Sequence, residues 1–149
     1  MAHKPEAGWR AKRALLAALN QELGDGVPRC AFLEALVSER PCMAEALRAH
    51  PAIAGAPLES IRRRCVGHSK PEVRELSLML QTLEAAILRC AVDTLSEHGF
   101  ETGAFIADGL LVRATTRPTQ AQAALDGALE AVTAAVREAL GVRVIMERE

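Results

Sequence analysis

Residues 77–113 read SLMLQTLEAAILRCAVDTLSEHGFETGAFIADGLLVR, and this stretch decides the fold. Val73, Leu76, Leu80, Leu83, Ile87 and Cys90 recur at steps of three and four, which places them on one stripe of a helix. Glu72, Glu75, Arg89, Asp93 and Glu97 fall on the opposite arc. Ser77, Gln81, Glu84 and Leu88 share a third line on the flank between core and solvent. Gly99 stops the helix, as glycine does just past a helix C-terminus. Two short apolar runs follow, Glu101–Ala107 and Leu110–Ala114, separated by Asp108-Gly109. Asp-Gly between apolar runs signals a tight hairpin, because the turn needs positive φ.

Two readings of Asp108 are open. One is a turn-former. The other is a metal ligand: a carboxylate held at a hairpin tip suits Mg²⁺, which takes one or two carboxylates plus substrate phosphates.

Outward from the hairpin, the chain continues as a second amphipathic helix and then an apolar strand. Gln120–Leu140 carries Ala121, Leu125, Leu129, Val132 and Val136 on one stripe, with Gly141 as its stop. Val142–Met146 is the expected strand. Upstream the chain is helical and locally basic. Trp9–Leu23 predicts a helix opening on Arg10, Lys12 and Arg13, and positive charge at a helix start opposes the dipole. A solvated basic face and an anion-holding site are both compatible with it. Arg29–His50 is a helical run that Pro41 is expected to divide. Leu58–Val66 is a short helix carrying Arg62-Arg63-Arg64, which fan over about 200° and so cannot all meet one partner. Most of that charge is expected to be solvated, with room for one or two phosphate contacts. Residues 67–71 form the joint, with Ser69 as cap and Pro71 in the first turn of the central helix.

The fold class is therefore α+β: N-terminal helices over 1–69, then helix, β-hairpin, helix and strand over 70–149. Half the residues are apolar and aromatics are scarce, so the core is aliphatic. The formal net charge of -1 gives no global sign of a polyanionic partner. Cys30, Cys42, Cys65 and Cys90 show no Cys-x-x-Cys spacing, and four idle or buried thiols suit a reducing, intracellular compartment. There is no signal peptide and no apolar run long enough for a membrane span. His98 is expected to serve the C-terminal end of the central helix rather than a ligand role.

Gln81-x-x-Glu84-x-x-Ile87-Leu88, followed some twenty residues on by an apolar strand ending in Asp108 and another leaving it, resembles the palm of family A DNA polymerases. It also resembles the single-subunit, phage-type RNA polymerases. The Asp-Gly-Leu turn looks most like the polymerase-like proteins of large viruses and mobile elements. The resemblance covers about residues 70–147. It departs at Ala107, where the family has His, and at Gly109, where the DNA polymerases have Glu.

The resemblance implies an incomplete ferredoxin-like palm. It makes Asp108 the second metal-binding, catalytic aspartate, with Mg²⁺ as cofactor. It places Gln81, with Ser77 and Glu84, against a DNA primer–template, and makes Arg10, Lys12 and Arg13 a remnant of the helix that holds a dNTP triphosphate. No tyrosine exists to stack on the base. Two-metal phosphoryl transfer also needs an aspartate on a preceding strand. Asp25, in a glycine-flanked turn, is the only aspartate before Asp93, so half the site is absent from this chain. The expected function is a nucleotidyltransferase fragment or remnant, inactive alone, whose partner is a missing N-terminal segment or another chain. The alternative is a non-catalytic nucleic-acid-binding or protein-interaction module.

In an isolated chain Val142–Met146 is expected to slide beside Leu110–Ala114 as a parallel third strand; the alternative leaves a gap for a strand from another chain. A sheet without it removes the ferredoxin-like assignment and, with it, the main structural support for the polymerase reading.

Overall fold

A computed structural model describes residues 30–106, 109–114 and 118–146. The protein is α+β and mostly helical. Its elements are α1 (Ala31–Ala49), α2 (Ala56–Cys65), α3 (Pro71–Glu97), β1 (Phe100–Ile106), β2 (Gly109–Ala114) and α4 (Pro118–Leu140). It divides into two compact units, Met1–Gln81 and Thr82–Glu149, so the boundary falls within α3.

In the first unit the buried apolar side chains are Leu33 of α1, Ile53, Ile61 and Cys65 of α2, and Leu76, Leu78 and Met79 of α3. Ile53 is wholly buried although it lies in the turn between α1 and α2, where its N–H and that of Ala54 both donate to His50 O. Pro41 does not divide the first helical run: α1 is continuous from Ala31 to Ala49. A proline removes one i→i−4 bond, and the bonds on either side suffice to carry the helix through. α3 begins at Pro71, as its sequence predicts, since a missing N–H costs nothing in a first turn.

In the second unit Ala91, Leu95, Phe100, Ala128, Val132 and Val136 form one buried cluster. It joins the C-terminal part of α3, the hairpin and α4. Both helices end where glycine takes positive φ, Gly99 at 80° and Gly141 at 66°. β1 and β2 pair antiparallel, with a register shift between Thr102 and Ala104 that leaves Gly103 as the extra residue. The shift leaves Ala104 and Leu111, which are paired, both exposed. On the exposed face Arg113 donates to the carboxylate of Glu101, its directly opposed partner. The ladder closes at Ile106 and Gly109, so Gly109 belongs to β2 instead of serving as half of the expected Asp108-Gly109 turn.

The expected third strand does not form. The sheet has two strands, and Val142–Met146 pairs with neither among the described residues. The segment nonetheless behaves as a strand in its burial: Val142, Val144 and Met146 pack partly on the cluster while Arg143 and Ile145 are exposed. Alternating side chains suffice to lay a segment on a core, but a ladder also needs a facing backbone edge, and among the described residues the segment packs on the cluster without pairing with a strand. The ferredoxin-like assignment is thereby corrected to a helix–hairpin–helix unit with an unladdered tail, and the polymerase resemblance loses its main structural support.

Two measurements follow. In hydrogen exchange the amides of 142–146 should exchange far faster than the ladder amides of β1 and β2. Leu95→Ala should cost about 2–5 kcal/mol in urea unfolding, whereas Ile145→Ser should stay within about 0.5 kcal/mol.

Candidate nucleic-acid interface

The sequence-derived site residues fall into two groups. Ser77, Gln81 and Glu84 are exposed on α3. Asp108, and with it the metal and catalytic role, lies outside the described residues, as do Arg10, Lys12 and Arg13. Among the described residues no three His, Cys, Asp or Glu side chains come together as a metal-ligating group.

What the structure does assemble is a basic corner where α2 ends and α3 begins. α2 is a ridge. Seven of its ten residues are exposed, and only Ile61 and Cys65 are buried. That pair, one turn apart, fixes which way the helix faces. Arg62, Arg63 and Arg64, between them, are all exposed, and their charge complements the C-terminal end of the helix dipole. Gly67 then turns the chain at φ 76°. His68 Nδ1 accepts from the Lys70 N–H at 3.2 Å, closing the turn that leads into Pro71. Arg74 Nε donates to Arg64 O at 3.2 Å and so satisfies a carbonyl at the end of α2 from the next helix.

The corner is pinned from beneath by Glu75. Arg48 of α1 grips it with both sides of its fork, Nε to Oε1 at 3.2 Å and Nη2 to Oε2 at 2.8 Å. Arg62 Nε donates to Oε1 at 3.5 Å from α2. Only 12% of the Glu75 side chain is exposed, against 60% for Arg62. The Arg48 fork is therefore the strong contact, and the Arg62 contact is a weak, screened addition. The Arg48 hydrogen bond pulls the Glu75 pKa down against the opposing effect of burial, with a smaller pull from Arg62. The same bond raises the Arg48 pKa. Sequence periodicity assigns Glu75 to the polar arc, and its burial is a correction. A carboxylate enters the interior when a guanidinium meets it in bidentate geometry, and Arg48, 27 residues away, supplies that.

A shallow cleft of about 240 Å³ lies beside this bridge, lined by Arg62, Cys65, Val66, Pro71, Glu72 and Glu75. Two carboxylates and one guanidinium make it a poor anion pocket. The cationic groups are on the ridge, and any anion would sit there. Of the four thiols, Cys65 is buried and Cys90 half-buried, while Cys30 and Cys42 are exposed. All four are free. Among the described residues no helix is long and apolar enough to cross a membrane.

No protein-family description, no curated protein and no solved structure matches the chain.

The Glu75 bridge makes a pH prediction. Its folded carboxyl titrates below its ordinary value of 4.5, so its stabilisation is complete above that pH and is lost as pH falls through the lowered pKa. Glu75→Gln should lower stability at neutral pH by about 1–3 kcal/mol, because Arg48 keeps a half-buried charge without its partner. In urea titrations the gap between the two proteins should be full above pH 4.5 and should close as pH falls through the lowered pKa of Glu75.

Proposed function

We propose that the chain is a non-catalytic nucleic-acid-binding module that holds a phosphate backbone on the corner between α2 and α3. One observation carries this. Between Ile61 and Arg74 lie five cations, Arg62, Arg63, Arg64, Lys70 and Arg74, and one carboxylate, Glu72. In a chain whose net charge is -1, that is a local concentration of positive charge. Arg62, Arg63, Arg64 and Lys70 are exposed, and the contacts beneath them fix the backbone that carries them. Arginine suits phosphate because its planar fork donates two parallel hydrogen bonds. The reading needs no metal, nucleotide or reacting carboxylate.

The second reading is the nucleotidyltransferase remnant. What favours it is the exposed line of Ser77, Gln81 and Glu84 and the helix–hairpin–helix order that follows. It requires Mg²⁺ at Asp108, a dNTP and a primer–template, and a second carboxylate from another chain. The unladdered Val142–Met146 segment weighs against it.

Fluorescence anisotropy with a labelled duplex separates the two. Log affinity should fall linearly with log salt, with a slope of about −0.9 for each phosphate neutralised, and added Mg²⁺ should compete as a counterion instead of strengthening binding. Primer extension should be absent. Mg²⁺-dependent extension, or no salt-sensitive binding at all, would overturn the proposal.

A further inference from the structure

The arrangement of the three arginines around α2 says which form of nucleic acid fits, and this inference rests on the binding function just proposed. Ile61 and Cys65 define the buried direction of the helix. At 100° per residue, Arg62 and Arg64 project about 80° to either side of that direction, and Arg63 stands diametrically opposite it. Arg63 is thus at the crest of the ridge, and Arg62 and Arg64 are on its two flanks. A flat anionic surface meets only the crest of such a ridge. A strand of single-stranded nucleic acid follows one flank. Two walls of phosphate, one on each side, meet both flanks at once, and a duplex groove provides that. A helix with its side chains is about 10–12 Å across, close to the width of the major groove of B-DNA.

We infer that α2 is a groove-seated helix that takes duplex nucleic acid in preference to single strands, with Arg62 and Arg64 on opposing phosphate walls and Arg63 toward the groove floor. The arrangement also contains its own opposing charge. Glu59 is exposed one turn before Arg63 and close to the crest, while Glu72 and Glu75 face the cleft on the Arg62 side. Glu59 therefore limits affinity, and its removal should improve binding. Arg62 is engaged by Glu75, so the flank without a carboxylate contact among the described residues is that of Arg64.

The experiment is anisotropy with one labelled oligonucleotide, single-stranded or annealed, over a salt series. Sedimentation with phosphatidylserine vesicles is run in parallel. Circular dichroism and urea melts establish that each variant is folded. The duplex should bind the intact chain at least tenfold more tightly than the strand. The double variant Arg63→Gln/Arg64→Gln should lose about one unit of the log–log salt slope on duplex, for the phosphate contact of Arg64, and should weaken binding further through the loss of Arg63 at the groove floor. Glu59→Gln should tighten duplex binding, a gain that loss of fold cannot mimic. Equal affinity for strand and duplex, with both sensitive to the variants, would overturn the groove geometry and leave the binding function standing. Salt-sensitive duplex binding unmoved by any of the three substitutions would show the site to be elsewhere. Vesicle binding without oligonucleotide binding, or no binding to either, would overturn both.

Discussion

One buried carboxylate organises the helical unit. Glu75 projects from α3 into a place that its neighbours Leu76, Leu78 and Met79 fill with apolar side chains. It persists there as an anion because Arg48 of α1 meets it with a two-point fork and Arg62 of α2 adds a third, longer contact. Apolar burial is indifferent to small rotations, whereas a bidentate ion pair tolerates few. The bridge therefore fixes the rotation of α1 against α3 about one point, and Arg62 links α2 to it by the weaker contact. Arg62 is both a strut of that bridge and one flank of the exposed ridge, which ties the presentation of the basic surface to the internal packing.

The sequence states the element order because each element carries its own period. The 3–4 spacing of α3 and α4, the two apolar runs of the hairpin, and the glycines at 99 and 141 are local signals, and the structure uses them as such. Elements whose state depends on distant partners were not legible. Glu75 looks polar in any window around it; only Arg48, far away in sequence, makes it a core residue. Pro41 reads as a break when taken alone, yet the helix on both sides carries through it. Val142–Met146 has the alternation of a strand and is buried in alternation, but the ladder that would complete it depends on an edge the segment does not encode.

The candidate site shows the same division. The arginine run is visible in the sequence, but its geometry follows from the burial of Ile61 and Cys65, which sets crest and flanks. The contributions of Lys70, His68 and Arg74 arise from the turn at Gly67, which folds the end of one helix onto the start of the next. By contrast, the exposed line of Ser77, Gln81 and Glu84 follows from helical spacing alone and is present as expected.

The hairpin has a consequence for the behaviour of the protein at high concentration. Among the described residues the sheet has two strands, each with an outer edge, and sheet edges are where chains join one another. Here Leu111 is 55% exposed on β2, and Ile145, in the unladdered tail, is 77% exposed. Against this stands the Glu101–Arg113 pair, whose charges another sheet would have to strip of water before it could stack there. This cross-strand pair adds little to folding stability, being well exposed, but it acts as a gatekeeper against cross-β growth. Its value to the chain is colloidal: it favours a dispersed hairpin over a fibril built from many copies of it.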